Sequence, residues 1–147
     1  MHKIDIYPEQ SLVVSVFSGS VTIEEIKMAN MKIARNSNFD KRFDGISDFR
    51  FAQANFTDNE LREFRNSALK SDFTKGRWCL LVSTPLETAM SMIFANKIVK
   101  QSVRVFSTVN AASEYLGQDL APLLSKPPSS TNSSLKSRIW RSTISSI

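Results

Sequence analysis

The chain of 147 residues is poor in the side chains that most chemistry needs: it has one cysteine and one histidine. Cys79 alone cannot close an intrachain disulfide or build a cysteine-rich metal site. It sits in Trp78-Cys79-Leu80-Leu81-Val82, a run in which a free thiol acts as a small buried hydrophobe. His2 stands at the expected frayed end, so neither a histidine-based triad nor a zinc site is expected. Glycine is scarce at four residues, and none of them forms a GxGxxG, a GxSxG or a P-loop with its lysine. No apolar run reaches the roughly 18 residues of a membrane-spanning helix. Asp5 and Pro8 interrupt the first residues, so no signal peptide is expected and a cytoplasmic location is.

What remains is ordinary for a folded chain: 41% hydrophobic and 22% charged residues, enough to bury one core without staples. The net charge of +5 is unevenly placed. Residues 118–147 hold Lys126, Lys136, Arg138 and Arg141 against Asp119 alone, a net +3, which leaves +2 for residues 1–117. Charge concentrated in a tail does not make the body a nucleic-acid reader, and no specific nucleic-acid partner is expected.

Periodicity and punctuation give the elements. Lys3–Tyr7 alternates as a half-exposed strand, and Leu12–Phe17 is β-branched, as a more central antiparallel neighbour requires. Gly45–Phe49, Arg77–Ser83 and Val103–Phe106 read as further strands. Thr22-Ile23-Glu24-Glu25, Thr57-Asp58-Asn59-Glu60 and Thr84-Pro85-Leu86-Glu87 each have the threonine-to-glutamate spacing of a capping box. They predict helices over 23–36, 58–70 and 85–99. The first should turn Ile26, Ala29, Ile33 and Met31 inward, and the second Leu61, Phe64, Ala68 and Leu69. A fourth helix over 109–116 should bury Ala112, Tyr115 and Leu116 and end at Gly117 as the C′ residue. The order β-β-α-β-α-β-α-β-α demands an α/β fold with a largely parallel sheet.

Residues 1–117 are thus expected as the domain and 118–147 as a serine-rich basic tail. Pro127 to Ser134 lacks the apolar surface to order itself, and Leu135–Ile147 reads as disordered or as a weak amphipathic helix.

No catalytic or metal-binding residue and no cofactor is expected. The best-placed polar cluster is Asp48, Arg50, Asn55 and Thr57, where the third strand runs into the second helix, because ligands of open α/β sheets gather at strand carboxyl ends. The competing reading is an exposed Asp48–Arg50 salt bridge beside an ordinary N-cap. Ser18-Gly19-Ser20 could cradle an anion but reads more simply as a strand-to-helix turn. Lys70, Lys75, Arg77 and Trp78 suggest backbone binding with base stacking, yet Trp78 reads better as the start of a buried strand.

Gly19-Ser20-Val21-Thr22-Ile23-Glu24-Glu25, Ile46-Ser47-Asp48-Phe49-Arg50 and Val103-Arg104-Val105-Phe106 with Ala111-Ala112 and Tyr115-Leu116 give a pattern that resembles small bacterial SpoIIAA-like proteins of the STAS superfamily. The likeness spans Lys3 to Gly117. It implies a four- or five-stranded mixed, mainly parallel sheet flanked by helices. It further implies a non-enzymatic interaction or regulatory module with a protein partner. A carrier of a small apolar ligand or lipid is the alternative, with Met90, Met92 and Phe94 beside the sheet, and a homodimer is left open. In phosphorylated members an Asp-Ser pair follows the third strand. Here Asp48 is followed by Phe49, so the partner-switching hydroxyl of that family is missing from its place.

Overall fold

The computed structural model describes residues 1–70, 74–83 and 102–124. Five strands form one sheet in the order β1-β2-β3-β4-β5: β1 (His2–Tyr7), β2 (Leu12–Val21), β3 (Asp44–Ala54), β4 (Arg77–Leu81) and β5 (Ser102–Phe106). β1 runs antiparallel to β2 and every later pair is parallel, which is the mixed, mainly parallel sheet that the element order requires. Helices α1 (Ile23–Arg35), α2 (Asp58–Lys70) and α3 (Val109–Leu116) flank it. Among the described residues no helix is long and apolar enough to cross a membrane.

Alternation along the strands splits the core into two layers. Val13, Phe17, Val21, Phe49, Trp78 and Leu80 face α1 and α2, while Leu12, Val14, Val16, Ile46, Cys79 and Leu81 face α3. α1 buries Ile23, Ile26, Ala29 and Ile33. Met31, expected inward, is 48% exposed; a step of 100° per residue carries it off the Ile26–Ile33 stripe. Gly45 lies flat against the Trp78 ring, so close that a Cβ there would fall 2.3 Å from it.

The helix starts follow the threonines. Thr57 and Glu60 complete both halves of their box, at 2.9 and 3.1 Å. At α1 only half forms. Thr22 Oγ1 accepts from the Glu25 amide, whereas the Glu25 carboxylate turns to the Met1 amine (2.8 Å) and to His2 Nδ1 (3.0 Å). Burial alone would push the Glu25 carboxyl up, but the hydrogen bonds and charges of these two partners hold it below the usual carboxylate range. His2 is therefore not frayed: it is tied to α1 and lies 5.9 Å from the Phe17 ring. The Thr84 box and the helix expected over 85–99, with Met90, Met92 and Phe94, lie outside the described residues, as do Pro127 to Ser134 and Leu135–Ile147.

Gly117 takes the left-handed conformation (φ 70°) and closes α3, with its N–H on Glu114 O and that of Gln118 on Ser113 O. Packing continues past this cap. Leu120 is fully buried and Leu124 almost so, flanking a 3₁₀ turn over Ala121–Leu123. The Leu120 amide is held by Ser113 Oγ at 3.0 Å. The helix C-cap turns the chain back onto the sheet instead of releasing it.

Candidate functional site

The strands that lead to the expected site are longer than their apolar patterns. β2 continues through Ser18-Gly19-Ser20, which is strand and not a strand-to-helix turn, paired with Phe51, Ala52 and Gln53. β2 and β3 end together, Val21 opposite Ala54, and the Asn55 amide adds a bond to Val21 O at 2.8 Å. Two parallel strands that stop at one level start their helices side by side. Thr22 and Thr57, the caps of α1 and α2, therefore flank the same edge.

Between these helix starts lies an open groove of about 430 Å³, lined by Thr22, Ile23, Glu24, Lys27, Asn55, Glu60, Glu63 and Phe64. Ile23 and Phe64 give it an apolar floor, and the rim carries three carboxylates against one ammonium. Lys27 Nζ stands 3.5 Å from Glu24. A pair of helix N-termini favours anions, but Glu24, Glu60 and Glu63 oppose one here, and each threonine cap already takes one amide, that of Glu25 or of Glu60.

Asp48 and Arg50 are brought together, in a different setting from the one expected. Between Val16 and Ser18 of β2, where β3 advances from Asp48 to Phe51, the register slips by one residue, a bulge in β3. Asp48 Oδ1 accepts the Arg50 amide inside this bulge at 3.0 Å. The guanidinium closes on both carboxylate oxygens at 3.0 and 2.9 Å. Its Nη2 also donates to Leu124 O at 3.0 Å. The side chain of Asp48 is 1% exposed and that of Arg50 25%. The bridge is thus not an exposed one: it clasps the end of the 3₁₀ turn to the bulge. Of the four expected residues, Asp48 and Arg50 form this clasp, Asn55 lines the groove, and Thr57 caps α2 through Glu60, a groove residue.

Sequence reasoning did not single out Thr22, Ile23, Glu24, Lys27, Glu60, Glu63 and Phe64 as a site. The available signal was the pair of capping boxes following two strands that parallel pairing sets level. Ser47, directly before Asp48, is buried: it accepts from Trp78 Nε1 (2.9 Å) and lies 3.1 Å from Ser15 Oγ. Arg77 is equally committed, bonded to both oxygens of Asp44 through its amide and guanidinium and to the Tyr115 and Leu116 carbonyls that end α3. Trp78 is buried at the start of β4, as expected. Among the described residues no three His, Cys, Asp or Glu side chains gather as a metal site.

No family model matches the chain, and no curated protein matches it. A structural likeness is found to the crystal structure of an uncharacterized protein of the DUF3478 family with a SpoIIAA-like fold, from Shewanella loihica PV-4. The two share 14% identity over 78% of this chain and 93% of that one, with a TM-score of 0.52. The fold is SpoIIAA-like. A SpoIIAA-like sheet of five strands flanked by helices accounts for the element order and for the two-layer core. At that identity the likeness extends to the fold alone.

Proposed function

We propose that the chain is a non-catalytic docking module, and that its partner-binding surface is the groove between the starts of α1 and α2. The observation that carries this reading is the groove's construction: an open trough at the carboxyl ends of two parallel strands, with an apolar floor and a net acidic rim. Brim and floor together fit a segment of a partner protein that brings a cationic side chain to Glu60 and Glu63 and an apolar one to Ile23 and Phe64. Asp48 and Arg50 support the surface from below by fixing the bulge in β3, and do not themselves reach the partner.

A photo-crosslinking amino acid at Glu63, set against the same group at Arg35, identifies the partner as the protein captured only at Glu63. With that protein purified, calorimetry of Glu63→Lys and Phe64→Ala should show binding weakened about tenfold or more, the loss of a pair or an anchor at an interface. Unchanged affinity in both variants, with the fold intact by circular dichroism, rejects the groove as the docking surface.

A further inference from the structure

β1 is an edge strand, with β2 on one side and, among the described residues, no strand on the other. One residue pair settles which backbone groups face outward. The Met1 nitrogen donates to Ser18 O at 3.1 Å and the Ser18 amide to Met1 O at 2.9 Å. Met1 and Ser18 are therefore a doubly bonded antiparallel pair, and bonded and non-bonded pairs alternate from there. Lys3, Asp5 and Tyr7 bond to Val16, Val14 and Leu12 of β2. His2, Ile4 and Ile6 turn their N–H and C=O groups to the open edge. Ile4 and Ile6 pack their side chains toward the α1 layer, which leaves Lys3 and Asp5 on the opposite face, 3.7 Å apart and exposed.

This edge is complementary to itself in one register. A second β1 laid antiparallel with Ile4 opposite the partner's Ile4 matches the outward-facing groups of both strands. Lys3 then falls opposite the partner's Asp5, and Asp5 opposite the partner's Lys3, both in non-bonded pairs where side chains stand closest. The outward groups permit slips of two residues only, since a slip of one would set bonding groups against non-bonding ones. A slip of two in one direction sets Lys3 against Lys3, and in the other Asp5 against Asp5. A lone edge lysine acts to block pairing; a lysine and an aspartate placed symmetrically about Ile4 select a single pairing instead.

α1 overhangs the same edge. Glu25 reaches His2 Nδ1 at 3.0 Å and Lys32 Nζ stands 3.1 Å from His2 Nε2. Met28, between these two on the same helix flank, is 52% exposed, and with Met1 and Met31 it completes the exposed large hydrophobics among the described residues. Two-fold pairing of β1 sets two such flanks side by side.

We propose that the chain forms a two-fold dimer through β1, one sheet running continuously across Ile4, with each Lys3 paired to the partner's Asp5. This surface is distinct from the groove and does not depend on its role. Sedimentation equilibrium of the full chain over a concentration series should give a species of twice the chain mass. Lys3→Asp and Asp5→Lys should each weaken association about tenfold or more, because each turns two attractive cross-strand pairs into repulsive ones. Lys3→Asp combined with Asp5→Lys restores complementarity and should return the dissociation constant to within about threefold of the original. Both side chains are exposed, so thermal unfolding of the dilute variants serves as the control for folding. A chain that stays monomeric throughout overturns the proposal. So do single reversals that associate as tightly as the native chain, or a double reversal as weak as the singles.

Discussion

Asp48 sits in a bulge, 1% exposed, with an arginine on both of its oxygens and a backbone amide on one. Removing one partner of a buried pair leaves the other uncompensated, which costs about 3 kcal/mol or more when both are deeply buried. Arg50 retains some solvent, so Asp48→Ala should destabilise the fold by about 2–3 kcal/mol, read as a lower midpoint in urea with an unchanged slope. An unchanged midpoint contradicts the clasp. Cys79 gives a second residue-scale prediction. Burial, reinforced by the charge of Asp44 and partly offset by Arg77, pushes its thiol up from 9.0 to about 12. The native thiol stays protonated between these values while the unfolded one ionises. Its contribution to stability is complete below pH 9 and is lost as pH rises toward 12. The folded protein should resist iodoacetamide at pH 8, and its unfolding midpoint should fall above pH 9 by more than that of Cys79→Ala. The burial of Cys79 was legible in its apolar run. That of Asp48 was not, because the carbonyl that completes its clasp belongs to Leu124, 76 residues along the chain.

At the scale of elements, the starts and stops were read most closely from sequence. Threonine caps and the glycine of a left-handed C′ position act locally, so the bounds of α1, α2 and α3 fall within a residue of expectation. Strand length was less legible. Ala52, Gln53 and Ala54 carry no strand signature, and they extend β3 because Gly19, Ser20 and Val21 supply a parallel partner. The segment after Gly117 illustrates the same limit: its two buried leucines, Leu120 and Leu124, are spaced by a proline-containing turn, with no periodicity to mark them. A chain ended at Gly117 loses the burial of Leu120 and Leu124 and the Arg50 bond to Leu124 O. At about 1.5–3 kcal/mol per buried leucine, it should be less stable by at least about 3 kcal/mol in chemical denaturation. A truncated chain as stable as the full one would show that the 3₁₀ turn adds nothing.

For the whole molecule, the sheet order fixes what each edge and end can do. Parallel pairing of β2 with β3 sets two helix starts at one level and opens the groove, while the antiparallel β1 has, among the described residues, no strand on its outer side. The sequence contained both capping boxes, yet their juxtaposition depended on the register of strands some 30 residues apart; of the residues that line the groove, Asn55 was singled out from the sequence and Glu24, Lys27 and Glu63 were not. Charge follows the same division, with carboxylates around the groove and most of the net positive charge in residues 118–147. Hydrogen–deuterium exchange of the free protein against its complex with the crosslinked partner reads out directly whether the groove is the docking surface. Amides of residues 22–28 and 55–64 should slow on binding, and those of β4 and α3 should keep their free rates. Protection confined to β4 and α3, or none at the two helix starts, rejects the groove as the docking surface.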